Sequence, residues 1–458
     1  MVDTRFQQLV DELRSGSMDR RSFVVRAVAL GASAVAIQAA IGGGALARQT
    51  SPAAGGELSP DMFGVEGVEH ITDTSKGTIN IYSSWPMTGA SEQIGGDSAD
   101  AVRFAIEIYG GAAGGFAINY EALDDGIAAN NGAWDAAKET ENATMAVNDP
   151  DCMVYIATYN SGAAEASIPV TNEAGLAMIS PSNTAVALTK DSPTNPEGYP
   201  DVLYPTGKRN YMRVCPSDDV EGSAGANFAW NGLGSRRAYV LHDNQTYGLG
   251  VAQVFRDTFE SLGGEVLGFE AFDANAPEYQ ALMTKIASMQ PDIIYLGAIV
   301  NLNSSKLLQD MRIQMPADQV AFMGPSGLIN QAFIDGAGGA AEGAYITFGG
   351  LPPDELANRG GAGAAWYERM VERLGRDPDS YAIYSFDCAI CALQAIDVVG
   401  EKDRAAILDT MFATRDFRGL LGTWSFDENG DTSLGTISLN QVLDGDITFQ
   451  EIIEPPAS

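Results

Sequence analysis

Histidine, cysteine and positive charge are all scarce in this chain. Two histidines and four cysteines among 458 residues exclude a multi-histidine metal centre and a small disulfide-built scaffold. Against 60 acidic residues stand only 27 Lys and Arg, a formal charge of -33. A field of that sign repels phosphate backbones and anionic headgroups, so nucleic acid is not expected as a partner. Most of the acidic excess reads as a solvated surface. Cys388 and Cys391 form a C-x-x-C inside the apolar run from Tyr384 to Val399, which reads as a buried helix with structural thiols. A bridge between Cys152 and Cys215 is left open.

What is present begins with an address. Asp19-Arg20-Arg21-Ser22-Phe23-Val24 leads into a small, apolar stretch ending near Ala45-Leu46-Ala47, and it resembles a twin-arginine export signal. The stretch is rich in Ala and Gly and carries Arg26, too weakly hydrophobic for a membrane span. The resemblance implies folding inside the cell, then a periplasmic, extracellular or surface-associated location. Residues 48–76 are Ser-, Pro-, Gly- and acid-rich without periodicity and are expected to be a flexible linker, with His70 idle inside it.

Length allows about two or three domains. Beyond the linker, apolar runs of strand length alternate with segments of helical period. Strands are expected at Thr78 to Ser83, Phe116 to Leu123, Cys152 to Ala157 and Leu176 to Ile179, with helices between them. A Pro- and Gly-rich excursion from Asp191 to Gly207 interrupts the rhythm. A second series follows, with strands at Ala238 to Leu241, Glu265 to Glu270, Ile293 to Leu296, Val320 to Met323 and Ala344 to Phe348. Then come three helices and a β-rich ending, with a hairpin signal at Asn429-Gly430. Such alternation predicts an α/β fold of mostly parallel sheets flanked by helices.

Loops after the strands are where such sheets hold ligands, and they lack catalytic signatures. Gly248-Leu249-Gly250 lacks the third glycine of a dinucleotide loop, and Gly207-Lys208-Arg209 lacks the magnesium-binding hydroxyl of a phosphate loop. His242 stands alone in the globular region, without a serine partner in view. Asp124-Asp125 could act as paired acids, although such residues more often cap turns. No enzyme, cofactor or metal is therefore expected.

Four of these loops, Tyr159-Asn160-Ser161-Gly162, Met178-Ile179-Ser180-Pro181-Ser182-Asn183-Thr184, His242-Asp243-Asn244-Gln245-Thr246-Tyr247-Gly248 and Met323-Gly324-Pro325-Ser326-Gly327, resemble in order those of the branched-chain amino-acid (Leu/Ile/Val) periplasmic binding proteins. The similarity runs from about Gly77 to Glu451. It implies a type I binding-protein fold of two lobes joined by three hinge crossings, near Val214, Phe348 and Leu421. The first lobe would hold residues 77–214 and 349–420, the second 215–348 and 421–452, with 453–458 a tail and 1–47 the signal segment. The family implies a monomer that captures a small solute by hinge closure and delivers it to the membrane permease of an ABC importer.

In such a site Ser161, Ser182 and Thr184, with Asn160 beside them, would hold a ligand carboxylate by hydroxyls and amides. Tyr247 would close over the ligand from the second lobe, Trp85 and Ile94 flank the loop with which relatives shape the side-chain pocket, and Ile299 at the cleft replaces an aromatic of the best-known relatives. Ser326 departs from the pattern, standing where amino-acid-binding relatives often carry an acid for the ligand's ammonium. Without it an ammonium needs another acceptor, such as Asp124 or Glu342. Alternatives are a ligand-sensing receptor module of the same fold, or a hydrolase using Ser161 or Ser326 with Asp124.

Overall fold

Runs such as Cys152–Ala157 and Ile293–Gly297 are apolar at nearly every position, the pattern of parallel strands covered on both faces. In the computed structural model, which describes residues 57–456 other than 131, 193 and 194, both are buried throughout and lie inside two separate sheets. The twin-arginine-like segment lies outside the described residues.

The first sheet is made by β1 (Thr78–Trp85), β2 (Ala112–Ala113), β3 (Phe116–Asp124), β4 (Cys152–Ala157), β5 (Ala177–Ser180) and β6 (Tyr211–Arg213), in the order β2-β3-β1-β4-β5-β6. All its pairs are parallel except β2 with β3. Helices α1 (Glu92–Ile108), α2 (Ala136–Asn148) and α3 (Ser161–Glu173) connect them. The chain then enters α4 (Asp218–Asn227) and a second alternation: β7 (Arg237–His242), α5 (Thr246–Ser261), β8 (Glu265–Ala271), α6 (Gln280–Ser288), β9 (Ile293–Gly297), α7 (Ser304–Gln314), β10 (Ala321–Gly324), α8 (Gln331–Ala337) and β11 (Tyr345–Gly349). On α5, Val251, Phe255 and Phe259 are fully buried, and Phe255 stacks on Tyr295 at 4.0 Å. Burial of each such side chain is worth about 1.5–3 kcal/mol.

Next follow α9 (Pro353–Asn358), α10 (Gly361–Leu374), α11 (Ala382–Val399) and α12 (Arg404–Phe412), of which α11 packs on α1 and α12 on β5. After a small hairpin of β12 (Phe417–Gly419) and β13 (Gly422–Trp424), β14 (Ile437–Leu443) and β15 (Asp446–Ile453) add antiparallel strands beyond β11. The second sheet thus runs β15-β14-β11-β10-β9-β7-β8. The architecture is the expected two-lobed α/β fold. Strand order reverses between β1 and β4 in one sheet and between β7 and β9 in the other. Ligand crevices of open α/β sheets form at such points, outside the carboxyl ends of the strands.

Several local expectations need correction. Helix α4 was unforeseen because its buried face is Gly222, Ala224, Gly225 and Ala226, small residues that allow close packing on α5 but show no apolar stripe. Helices α8 and α9 are too short to display a period. At Asn429-Gly430 there is a turn, but only a single bridge, Phe426 with Thr432, flanks it. The long hairpin instead turns at Asp444-Gly445, both at positive φ (55° and 86°).

The stretch expected as a linker is not free where it is described. Phe63 is buried against Phe386, and Val65 exchanges hydrogen bonds with the Gln394 side chain. His70 is not idle: its ring nitrogens contact Asp397 Oδ2 at 2.9 Å and the Tyr109 carbonyl at 3.0 Å. A few apolar residues spaced along a polar stretch suffice to strap it onto α11, and they carry no periodic signal. All four cysteines are buried and free, so Cys152 and Cys215 are not bridged. Helix α11, which carries Cys388 and Cys391, is long and apolar enough to cross a membrane, yet its apolar stretch is 89% buried inside the protein.

Candidate functional site

Strand-end loops of both lobes meet around one small cavity. From the first lobe, Tyr159, Asn160 and Ser161 follow β4 and Ser182 follows β5. Tyr247 opens α5 after β7, Ile299 follows β9, Gly327 follows β10, and Tyr381 precedes α11. Asn160, Ser161, Ser182, Tyr247 and Ile299 were anticipated at the site and line it together. The space between them is about 20 Å³, room for roughly one water. A larger cavity, of about 590 Å³, is lined in part by Asp379 and Ser380, the two residues before Tyr381.

Local hydrogen bonding fixes the first-lobe loops. Asn183 donates to the carbonyls of Thr158 (2.9 Å) and Tyr159 (3.0 Å), while Ser180 Oγ donates to Thr158 O and accepts from the amides of Ser182 and Asn183. Ser182 Oγ donates to Tyr159 O at 3.1 Å. Ser161 Oγ accepts from the Ala185 amide, and Ser161 starts α3, whose first amides have no intrahelical acceptor. Thr184 does not line the cavity. Its buried hydroxyl lies beside the Asp218 carboxylate.

On the other side, Tyr247 Oη accepts from the Gly327 amide at 2.8 Å and lies 3.1 Å from Ser326 Oγ. Ser326 in turn donates its hydroxyl (2.9 Å) and its amide (2.7 Å) to the Glu221 carboxylate, which also accepts from Thr347 Oγ1 at 2.7 Å. A Cβ at position 327 would fall 2.6 Å from Ala298 O and 2.7 Å from the Tyr247 ring, so glycine is what lets that ring lie against the loop. Burial pushes the Glu221 carboxyl above its usual range. Asp218, three residues earlier on α4, is fully buried with only the Thr184 hydroxyl beside its carboxylate. Burial, and then the charge of Glu221, push its carboxyl well above the ordinary value.

Thus an acid does stand behind Ser326, but it is neither candidate considered from the sequence. Asp124 is spent on the turn after β1, accepting from the amides of Met87 and Gly126 and from the Thr88 hydroxyl. Glu342 is exposed and accepts from the Asp444 amide. Trp85 and Ile94 are also misplaced: both are buried (0% and 2% exposed) and neither lines the cavity. An apolar residue beside a strand-end loop satisfies packing first.

Sequence reasoning missed Glu221, Asp218, Tyr159 as a ring, Tyr381 and Trp134. The i, i+3 spacing of Asp218 and Glu221 was a usable signal, since it puts both carboxylates on one face of a helix. Tyr159 and Tyr381 meet edge to face at 5.4 Å, and Tyr381 also packs on Phe348 at 5.3 Å. The Trp134 indole lies against the start of α3, where a Cβ at Gly162 would meet it at 2.6 Å.

Among the described residues, hydrogen bonds between strand-end loops of the two lobes cross the cleft. Thr246 Oγ1 donates to Glu165 at 3.0 Å, Trp134 Nε1 to Gln245 at 3.3 Å, and Asn301 to Ser91 at 2.8 Å. So joined, the lobes leave space for about one water, and a solute would enter by parting them.

Known proteins share this fold. The family profile described as periplasmic binding protein matches residues 78–446. A Leu/Ile/Val-binding protein homolog of Brucella abortus is 26% identical over 279 residues, 61% of this chain and 69% of that protein. An amino acid binding protein of Pseudomonas aeruginosa is 24% identical over 80% of this chain and 91% of its own. Among solved structures, a leucine binding protein of Thermotoga maritima superimposes with a TM-score of 0.69 at 24% identity, covering 82% of this chain and 99% of the other. A solute binding protein of R. palustris, solved with benzoate, gives 0.68 at 20% identity, covering 83% and 98%.

Proposed function

The chain belongs to the periplasmic binding protein family, and from that membership we propose that it captures a small amino acid-like, amide or carboxylate solute outside the cytoplasm and delivers it to the permease of an ABC importer. Capture is by hinge closure of one lobe, residues 77–214 and 349–420, on the other, residues 215–348 and 421–452. The observation that carries this reading is the cavity itself, shared by loops from the switch points of both sheets and spanned by direct hydrogen bonds between lobes. Tyr247 and Ile299 close from the second lobe on a ligand held by Asn160, Ser161 and Ser182, with Thr184 and Ser326 behind the lining. The twin-arginine-like segment serves export, and the protein works as a monomer.

No bond is made or broken in this mechanism. Ser161 has no base within its hydrogen bonds, and Asp124, the acid a hydrolase would need, is held by two amides and a hydroxyl. Ser326 points its proton at a buried carboxylate but shares that bond with Tyr247, an arrangement that fixes a loop.

Thermal melts against amino acids, short amides, amines and small carboxylates test the proposal. A specific ligand at about 100 times its Kd adds roughly 2.7 kcal/mol of stability. Silence across the whole panel, with nothing co-purifying in native mass spectra, sinks it; turnover abolished by Ser161→Ala in a folded protein favours the hydrolase instead.

A further inference from the structure

We propose that the cleft recognises its ligand through a positively charged ammonium group, primary or methylated, and that a carboxylate on the ligand is dispensable. This deepens the capture reading and rests on it. Three of the residues around the cavity are tyrosines, Tyr159, Tyr247 and Tyr381, and no Lys or Arg lines it. Aromatic faces turned toward a small space attract a cation through the ring quadrupole, most strongly where water is excluded.

Behind that wall the charge has one sign. Glu221 lies one hydrogen bond from the lining, through Ser326 to Tyr247. Asp218, on the same face of α4, is fully buried, forms no ion pair among the described residues, and has only the Thr184 hydroxyl beside its carboxylate. Nearby cations are committed elsewhere: Arg213 binds Asp431, the carbonyls of Asn183 and Ala185, and Thr189, while Lys190 binds Asp219 and Asp431. A buried carboxylate without an opposite charge is costly, and an ammonium brought by the ligand offsets that cost.

Hydroxyl protons point the same way. Those of Ser182 and Ser326 are already donated, to Tyr159 O and to Glu221, so Ser182, one of the hydroxyls expected to face a carboxylate, offers lone pairs instead. The Ser182 and Ser326 oxygens can therefore accept from N–H groups, while the first amides of α3 remain as donors.

Matched ligands decide this on the wild-type protein. Leucine, isopentylamine and isocaproate differ only in which charged group they carry, as do alanine, ethylamine and propionate, and choline adds a methylated head. The amines and amino acids should raise the melting midpoint and the two acids should not. Asp218→Asn and Glu221→Gln should each weaken the amine by about 100-fold with circular dichroism unchanged. Stabilisation by the acids but not the amines overturns the proposal, as does amine binding that neither substitution moves. Binding of amino acids without amines overturns the dispensable carboxylate. If every compound in this and the wider panel is silent, capture itself has failed, a different result from the wrong charge preference. Should a variant not fold, the wild-type ligand series stands alone.

Discussion

Two sets of buried charge lie within a few residues of each other, and the fold treats them in opposite ways. Arg213, at the end of β6 and 0% exposed, has its guanidinium fully answered: Asp431 at 2.6 Å, Thr189 at 2.6 Å and the carbonyls of Asn183 and Ala185. Burial alone would raise the Asp431 carboxyl, but Arg213 and Lys190 outweigh it and hold the group down at about 2. Asp218 and Glu221, at the start of the next helix, are as deeply buried and form no ion pair among the described residues: Glu221 is held by Ser326 and Thr347, while Asp218 has the Thr184 hydroxyl beside it and feels Arg213 only from farther off. Their carboxyls move the other way. A charge met by an opposite charge inside the fold is a strut; a buried carboxylate met only by neutral donors is one that an ammonium from outside would stabilise.

Breaking the strut should have the largest effect. Asp431→Ala strands a buried guanidinium, a loss of about 3–5 kcal/mol in urea unfolding. The wild-type contribution of Asp431 is present above the ordinary carboxyl value of 3.8 and disappears as pH falls through about 2. Asp218→Asn should do the reverse. With its folded value raised, the wild-type carboxyl takes stability away as pH climbs from 3.8 toward that higher value, so the variant gains on the wild type over that window. A gain of about 1–2 kcal/mol without ligand at neutral pH is expected, vanishing in acid. If instead Asp218→Asn proves as damaging as Asp431→Ala, the two regions are alike and both are struts.

That contrast also marks what the sequence could and could not disclose. Strands and long helices were legible because β4 and α5 carry their burial in their residue pattern. Ser161, Ser182 and Tyr247 were legible because loops after strands face the crevice and because their motifs are distinctive. Helix α4 was not: its buried face is glycine and alanine, and the two acids on it look like ordinary helix-start residues until the fold removes their solvent. Trp85 shows the converse error, a large aromatic beside the right loop that the core takes instead. Burial of polar groups follows from tertiary packing, which no local pattern encodes.

The bonds across the cleft sharpen the comparison at its weakest point. Thr246 donates to Glu165, whose carboxyl is raised by burial, and this bond exists only when the lobes approach. Thr246→Val should therefore cost about 0.5–1.5 kcal/mol, all of it charged to the closed state. A penalty near 1 kcal/mol shifts the closed-to-open ratio about fivefold. Small-angle scattering of the unliganded protein should show a larger radius of gyration, while the unfolding midpoint hardly moves. Every ligand, whatever its charge, should lose affinity by the same small factor, because closure precedes no particular contact. Loss confined to ammonium ligands would place Thr246 in recognition, and unchanged scattering and affinity would mean that this bond does not hold the lobes together.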